Sequence, residues 1–173
     1  MSSLRPDAGT VGTTAIDKRP VVGPVRAGRY GLYADVQADR KHHGGEAKAL
    51  YAYAQEDAQY WSSELGRDLP PGWFGENLRV EGIDVNAARE GERWQIGQDV
   101  IVEVTMPRSP CATFARWVGG DDERGWVKRF GDAGRLGAYL RVVRFGAIEA
   151  GDPIVVVAVP NDAPTILELF RSS

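Results

Sequence analysis

Thiols and imidazoles are scarce in this sequence. Its 173 residues include one cysteine, Cys111, and two histidines. A single cysteine cannot form a disulfide within the chain. It also cannot supply the several thiolates of an iron–sulfur cluster or of a zinc site built on paired Cys-x-x-Cys motifs. These kinds of site are therefore excluded, and a lone thiol is typical of a reducing compartment.

Long runs of one character are absent as well. Basic residues never extend beyond a pair such as Lys18-Arg19, and the formal net charge is −3, so no basic stripe for nucleic acid is predicted. No apolar run approaches the ~20 residues of a membrane span. Residues 1–12 lack the charged-then-apolar order of a secretory signal. We therefore expect a cytoplasmic protein with neither nucleic acid nor a membrane as its partner.

Length and composition predict one folded domain. With 43% hydrophobic content over 173 residues, the chain can bury one substantial core without disulfides. Residues 1–12 are small and polar, with Pro6 and two glycines, which predicts a flexible N-terminal tail. The single domain is then expected at 13–173.

Most of that domain shows the pattern of short β-strands. Runs rich in β-branched and aromatic residues are separated by turns, and the sequence holds 21 glycines. This pattern predicts a mainly β (α+β) fold, a closed or nearly closed barrel rather than a doubly wound parallel sheet. Short helical turns are expected at 113–118 and 122–130. The predicted strands lie at 30–35, 78–80, 93–96, 100–105, 139–145 and 154–159.

One long helix is predicted at 46–65. Apolar residues recur there at spacings of three and four, which is typical of one buried helical stripe. Gly66 follows as a helix stop. The stripe consists of Leu50, Tyr53, Ala54, Ala58, Trp61 and Leu65.

Cys111 is the first candidate for chemistry. It follows a predicted strand in a segment where Pro107 and Pro110 restrict the backbone. Arg108 lies three residues away, and a nearby guanidinium favours the thiolate, a ligand suited to soft or redox-active metals. The alternative is that Cys111 is a small buried hydrophobe.

Two further segments have features of anion sites. Gly44-Gly45 precede the predicted helix, where backbone N–H groups favour a phosphate; the alternative is a plain loop. The preceding His42-His43 resemble a metal pair, but neighbouring side chains of an extended segment point opposite ways. Lys18-Arg19 stand before Pro20, and their alternative is a solvated surface pair.

Asn77 is a candidate for recognising a heterocycle. Its amide offers both a donor and an acceptor, and it lies in a segment that contains Trp73 and Phe74. These aromatics are expected either to line a pocket or to pack in the core.

Taken in order, these segments resemble the MOSC family, named after the C-terminal domain of molybdenum cofactor sulfurases, and above all its small bacterial YiiM-like members. The likeness spans about 17–159. It rests on Lys18-Arg19-Pro20-Val21, Gly31-Leu32-x-x-Asp35, His43-Gly44-Gly45 with Lys48-Ala49, Gly75-Glu76-Asn77-Leu78, Gly91-Glu92-Arg93, Pro107-Arg108-x-Pro110-Cys111, Gly137-Ala138-Tyr139-Leu140-Arg141-Val142 and Gly151-Asp152.

The resemblance implies a barrel-like fold and a site for the molybdenum cofactor, molybdopterin with its metal. The family cysteine coordinates molybdenum or carries sulfur, and this role transfers to Cys111. Pyridoxal phosphate is not expected, because it belongs to an aminotransferase-like domain of full-length sulfurases. Contacts with the pterin and its phosphate transfer to Lys18, Arg19, His43, Gly44, Gly45, Asn77 and Arg108.

The resemblance also implies a function. Catalytic family members resemble reductases of N-hydroxylated bases and amines, which detoxify base analogues, and His43 or Asn77 would then orient the substrate. Larger members carry a fused electron-transfer domain and some YiiM-like chains a longer C-terminal region, so a separate flavin or iron–sulfur reductase is expected as electron donor. A homodimer is a further expectation. The alternatives are a non-catalytic cofactor carrier or sulfur-transfer protein, and a barrel that has lost the cofactor.

Overall fold

A computed structural model describes residues 2, 5–8, 12–33, 35, 45–119 and 125–173. In this part of the chain, short strands dominate and the helices are few. The strands are β1 (Arg5–Pro6), β2 (Thr13–Thr14), β3 (Val25–Gly28), β4 (Gly31–Leu32), β5 (Leu50–Ala54), β6 (Leu78–Val80), β7 (Arg93–Ile96), β8 (Val100–Pro107), β9 (Ala138–Arg144), β10 (Gly146–Ile148) and β11 (Ile154–Ala158). The helices are α1 (Gln55–Leu65), α2 (Ala112–Gly119), α3 (Trp126–Ala133) and α4 (Ile166–Arg171), with a 3-10 turn at Glu46–Lys48.

A curled six-stranded sheet forms the frame of the molecule. Its order is β11-β7-β8-β9-β5-β6, and every pairing is antiparallel except the parallel pairing of β5 with β6. A second sheet has the order β10-β3-β4. Because β10 follows β9 after one residue, the chain changes sheets at Phe145. The predicted β-rich α+β fold with a barrel-like sheet and a few helices is confirmed, in the form of a half-barrel.

Strand β5 separates two hydrophobic clusters. Side chains of a strand alternate between its faces. Leu50 and Ala52 therefore join one cluster between the sheets, whereas Tyr51 and Tyr53 join the other beneath the helices. Burial of each large side chain is favourable by about 1.5–3 kcal/mol, so both faces of β5 stabilise the fold. The cluster beneath the helices, here called the aromatic cluster, also includes Trp61, Phe74, Phe114, Trp126 and Phe130.

The predicted helix at 46–65 is wrong in its first half. Residues 50–54 form β5, and α1 begins only at Gln55. All five residues of β5 are buried, because its faces are covered and its edges pair with β6 and β9. A continuously apolar stretch satisfies the spacing of a helix as well as that of a buried strand. The periodicity of 50–54 therefore could not distinguish the two. The C-terminal boundary at Gly66 is confirmed by its left-handed backbone conformation.

The remaining elements agree with the sequence to different degrees. The strands predicted after residue 78 all appear, and α2 and α3 lie where helical turns were expected; residues 122–124 fall outside the described part. The strand predicted at 30–35 is shorter, because residues 29–30 form the turn between β3 and β4. The sequence analysis missed α4.

The N-terminal residues have defined contacts in the described part. Arg5–Pro6 pair with Thr13–Thr14, and the Asp7 carboxylate lies 2.6 Å from Arg116 Nη2 on α2. The flexible tail at 1–12 and the single domain at 13–173 stay predictions. Among the described residues, no helix combines the length and the apolar character needed to cross a bilayer.

Candidate cofactor site

Cys111 lies where the sheet gives way to the helices. It stands between β8 and α2, and its backbone carbonyl accepts the first turn's hydrogen bond from the Ala115 N–H, at 3.0 Å. The side chain is half-buried at the edge of the aromatic cluster. Cys111 is thus held by a helix start and is partly exposed to solvent.

Arg108 lies under the same junction and is almost fully buried, with 7% of its surface exposed. Its guanidinium carbon lies 4.4 Å from the centroid of the Phe114 ring and 5.5 Å from that of Tyr51. Its Nη1 is buried without a hydrogen-bond partner in the described part of the chain. A buried charged donor without an acceptor is costly, so the geometry suits an anionic ligand that would accept from Nη1.

The charge of Arg108 is coupled to its neighbours. Burial acts to lower the pKa of Arg108, but the phenols of Tyr51 and Tyr139 and the Cys111 thiol outweigh burial, and the pKa is raised overall. Arg108 therefore keeps its positive charge. A guanidinium that interacts with a thiol favours the thiolate, which is the form that binds metals.

Tyr51 and Tyr139 form the aromatic wall beside Arg108. They are direct partners in the pairing of β5 with β9, and their ring centroids are 5.5 Å apart. The Tyr51 hydroxyl donates to the Leu136 carbonyl at 2.7 Å. Burial raises the pKa of both phenols, although Arg108 opposes this effect. Both are therefore neutral at physiological pH and able to donate hydrogen bonds.

The turn at Glu46–Lys48 borders this wall. The Thr105 hydroxyl of β8 donates to the Ala47 carbonyl at 2.6 Å, and Lys48 Nζ lies 5.6 Å from the centroid of the Tyr139 ring. Gly45 opens the turn with φ +98°, and a Cβ built there would meet no atom of the described residues within 4 Å. The predicted role of Gly45 in binding a phosphate stays a prediction. His43 and Gly44 lie outside the described residues, so their predicted roles stay predictions.

A second group of polar residues surrounds Asp35. Lys18 Nζ lies 2.7 Å from Asp35 Oδ2, and Asn77 Nδ2 donates to the same oxygen at 2.6 Å. Burial acts to raise the pKa of Asp35, but Lys18, with Ser2 and Asn77, outweighs burial and lowers it overall. Asn77 Oδ1 also accepts the Tyr51 N–H at 3.0 Å, and the Asn77 N–H donates back to the Tyr51 carbonyl at 2.8 Å. Both ends of the Asn77 amide are thus engaged, which favours a positioning role, and its catalytic role stays a prediction.

These polar residues border a cavity of about 390 Å³. Lys18 and Asn77 line it together with Arg19, whose side chain is 69% exposed and lies 3.7 Å from Asp17. The lining also includes apolar side chains, namely Val25, Leu32, Leu78, Val80, Ile96, Ile148 and Ile154.

The structure therefore arranges the predicted site residues in two groups. Cys111 and Arg108 form one, and Lys18, Arg19 and Asn77 form the other. Tyr51 joins the groups, because its backbone pairs with Asn77 and its ring lies against Arg108.

Sequence reasoning missed Tyr51 and Tyr139 as site residues. Tyr139 occurs in a motif that carried the family resemblance, but Tyr51 was assigned to a helix. Only the β5–β9 register brings the two together, and a single sequence gives no signal for that register. In the described part of the chain, no group of three or more His, Cys, Asp or Glu side chains is placed to hold a metal ion.

Known proteins are similar to this chain over most of its length. The MOSC domain family matches residues 39–155. YflK of Bacillus subtilis (strain 168) is 33% identical over 138 residues, and YiiM of Escherichia coli (strain K12) is 29% identical over 153 residues. These matches cover 80% and 86% of this chain but only 61% and 66% of the two relatives. A protein of Gibberella moniliformis named a reductase is 30% identical over 169 residues, which is 28% of its length.

Solved structures show the same fold. YiiM from Geobacillus stearothermophilus superposes with a TM-score of 0.77 at 30% identity, covering 98% of this chain and 79% of that one. YiiM from Escherichia coli gives 0.70 at 26% identity, covering 87% of this chain and 69% of that one. Because the family match spans more than half of the sequence, the resemblance in the motifs is confirmed. The chain is a small YiiM-like member of the MOSC domain family.

Proposed function

We propose that this chain binds the molybdenum cofactor through the Cys111 thiolate and reduces N-hydroxylated bases or amines. The observation that carries the proposal is Arg108, a buried cation whose Nη1 has no acceptor in the described part of the chain, and which interacts with the half-buried thiol. The MOSC domain is associated with this cofactor in general, and the Gibberella relative is named a reductase.

The residues at the site fit the molybdenum cofactor, which is anionic and carries sulfur. Cys111 would supply the chain's thiolate ligand, and the pterin's own sulfurs would supply others. Arg108 would donate from Nη1 to an anionic part of the cofactor. Lys18 and Arg19 would attract the phosphate, while the backbone at Gly45, with His43 and Gly44, would complete the cradle. When bound, the cofactor supplies two-electron redox chemistry.

The reduction itself has a fixed balance. An N-hydroxylated amine takes up two electrons and two protons, its N–O bond breaks, and an amine and water leave. The neutral phenols of Tyr51 and Tyr139 line the site, with the Tyr51 hydroxyl donated to the Leu136 carbonyl, whereas His43 and Asn77 remain proposed to orient the substrate. A separate flavin or iron–sulfur reductase is proposed as the electron donor.

Cofactor content tests the proposal. Protein purified from a host that makes the molybdenum cofactor is analysed for molybdenum by elemental analysis and for pterin by fluorescence. We expect near-stoichiometric amounts of both in the wild type and a loss of molybdenum by about tenfold or more in Cys111→Ser. Ser109→Ala, a change at an exposed position of the same loop, is the matched control. Retention of molybdenum by Cys111→Ser would overturn the metal assignment.

Turnover separates reduction from carrying. The loaded protein is given an N-hydroxylated base and an artificial electron donor, and the amine product is measured. Product formation that requires Cys111 supports the reductase. Tight cofactor binding without turnover, together with transfer to an acceptor apoenzyme, would instead identify a cofactor carrier.

A further inference from the structure

A buried polar network lies behind the aromatic wall and takes no part in the roles proposed so far. Asn86 is 8% exposed, and its Nδ2 donates to Asp57 Oδ2 at 2.6 Å. The other carboxylate oxygen of Asp57 accepts from Arg135 Nη1 at 2.5 Å. Asp57 belongs to the first turn of α1, so the network is fixed to a helix.

Asn86 holds the segment 135–137 from one side. Its Oδ1 accepts the N–H of Leu136 at 2.9 Å and the N–H of Gly137 at 3.1 Å. Asp57 fixes the amide in this orientation, because Nδ2 must point to the carboxylate and Oδ1 therefore points to the segment. The Arg135 ion pair with Asp57 anchors the start of the segment to the same network.

The same segment holds the candidate site from its other side. Three consecutive carbonyls accept hydrogen bonds at or beside the site: Arg135 from the Tyr53 hydroxyl at 2.9 Å, Leu136 from the Tyr51 hydroxyl at 2.7 Å, and Gly137 from the Arg108 N–H at 3.4 Å. The segment therefore bonds to Tyr51 of the aromatic wall, to Arg108, and to Tyr53, whose ring lies beside that of Tyr51.

The packing leaves the segment little room to shift. Gly137 has φ +71°, and a Cβ built there would lie 2.5 Å from the Ala52 carbonyl oxygen and 2.7 Å from Tyr51 Cε2. The backbone of the segment thus lies against β5. A displacement of the segment moves the Tyr51 hydroxyl with it, and Tyr51 is one of the two rings that flank the Arg108 guanidinium.

We propose that Asn86, oriented by Asp57, is a positioning residue that fixes Tyr51 and Arg108 relative to Cys111 through the backbone of 135–137. It touches neither the thiol nor any ligand atom, so its effect is indirect. The proposal rests on the proposed function only where Arg108 is taken to bind the cofactor. The positioning itself is a property of the chain alone.

Alkylation of Cys111 in the cofactor-free protein measures this positioning. Cys111 is the only cysteine, so iodoacetamide consumption at neutral pH reports one thiol, and its rate depends on the cation beside it. We expect Asn86→Ala to slow alkylation by about fivefold, because the Arg108 guanidinium is then no longer held in place beside the thiol.

Glu92→Ala is the matched control. Glu92 is 7% exposed and accepts from Trp94 Nε1 at 2.7 Å and from the Arg89 N–H at 3.1 Å, in a network at the start of β7. Its removal destabilises the protein in a similar way, which thermal unfolding verifies, but it should leave the alkylation rate within about twofold of the wild type.

Exchanging the two residues tests the direction of the hydrogen bond between Asn86 and Asp57. In the double variant Asp57→Asn with Asn86→Asp, the amide at 57 donates to the carboxylate at 86, which still accepts both N–H groups of 136 and 137. We expect this variant to restore the wild-type alkylation rate. Tyr51→Phe keeps the ring beside Arg108 and removes only the hydroxyl that reaches Leu136, so it should slow alkylation even if Asn86→Ala fails to fold.

Equal rates in Asn86→Ala and Glu92→Ala would overturn the proposal, as would a wild-type rate in Tyr51→Phe. Neither result depends on molybdenum. If the wild type binds no cofactor, the proposed function fails while the alkylation series still decides whether Asn86 positions the site.

Discussion

Arg108 combines a charge, a buried location and an Nη1 atom with no hydrogen-bond acceptor among the described residues. Such an atom costs about 1–3 kcal/mol relative to a satisfied one. The cation–π contacts with Phe114 and Tyr51 stabilise the guanidinium by up to about 2 kcal/mol. The net balance in the cofactor-free protein is therefore unfavourable or near zero, as is common where a site is shaped for a ligand.

Arg108→Met is expected to separate stability from cofactor binding. Methionine fills much of the buried volume without a charge or a donor, so the free energy of unfolding of the cofactor-free protein should stay level or rise by about 1 kcal/mol. Molybdenum and pterin content should fall. Urea unfolding of the cofactor-free protein and elemental analysis of the loaded protein measure the two effects. A loss of stability with full cofactor content would show that Arg108 serves only the core.

Asp35 makes the N-terminal part of the cavity sensitive to acid. Lys18, Ser2 and Asn77 lower the pKa of Asp35 despite its burial. A carboxyl whose pKa is lower in the folded state stabilises the fold above its unfolded value, near 3.8. This stabilisation is lost as the pH falls through the folded value.

Asp35→Asn is therefore expected to cost stability at neutral pH by about 1–3 kcal/mol. The difference from the wild type should become smaller at about pH 3, below the unfolded value of 3.8, because the unfolded wild-type chain takes up a proton there and folding has to release it. Urea unfolding at both pH values checks this. Asp68→Asn, a carboxyl for which the structure gives no such contact network, serves as control; a difference for Asp35→Asn that is independent of pH would contradict the assignment.

At the scale of elements, the sequence predicted strands well and the first half of its long helix badly. Along β7 and β8, buried and less buried residues alternate in part, and glycine-containing turns bound the strands. Their positions therefore follow from the local sequence pattern. Strand β5 is buried at all five positions, so its sequence shows neither the two-residue period of a half-buried strand nor the 3.6-residue period of an amphipathic helix. Its identity depends on its neighbours β6 and β9, which come from 24 or more residues away in the sequence.

The candidate site divides in the same way. Arg108 and Cys111 are three residues apart, and their joint role could be predicted from the segment alone. Tyr51, Asn86 and the segment 135–137 come together only through the register of β5 with β9 and the hydrogen bonds of Asn86. No local pattern encodes those contacts, so they had to be found in the structure.

Helix α4 was missed although its start carries a capping box. The Thr165 hydroxyl accepts the Glu168 N–H, and the Glu168 carboxylate accepts the Thr165 N–H. The helix has only six residues, too few for a recognisable apolar stripe. Its N–H groups nevertheless connect it to the body, because Leu167 donates to the Asn86 carbonyl and Ile166 to the Ala88 carbonyl.

Thr165→Ala is expected to lower the free energy of unfolding by about 1 kcal/mol, because the Glu168 N–H then loses the hydroxyl that accepts from it. Ser172→Ala removes an exposed hydroxyl at the other end of the helix and should change it by less than about 0.5 kcal/mol. Chemical denaturation measures both. Equal effects would show that the capping box contributes nothing specific.

At the scale of the whole molecule, β11 forms one edge of the six-stranded sheet. Within the described part, it exposes Val155, Val156 and Val157. Exposed apolar edge strands without charged residues promote association between sheets. The expected homodimer stays a prediction, and this edge is a site where concentrated protein can aggregate.

Val155→Lys is expected to slow aggregation on heating by severalfold, because a lysine on an edge strand opposes further pairing. Val155 is 56% exposed, so the free energy of unfolding should change by less than about 0.5 kcal/mol. Light scattering and calorimetry measure the two quantities. Thr14→Lys, on a separate two-stranded sheet, is the control, and equal protection by both would indicate a general effect of charge.

The chain leaves the sheet at Pro107 and returns to it at Ala138, and these two residues are direct partners in the pairing of β8 with β9. The Arg108 N–H donates to the Gly137 carbonyl just beyond that pair. Everything between, including Cys111, α2 and α3, is thus an insertion closed at its base. Because lengthening such a loop costs only about 0.6 kcal/mol per doubling, the insertion can change in length, and with it the surroundings of the thiol, as long as Phe114, Trp126 and Phe130 still pack against β5.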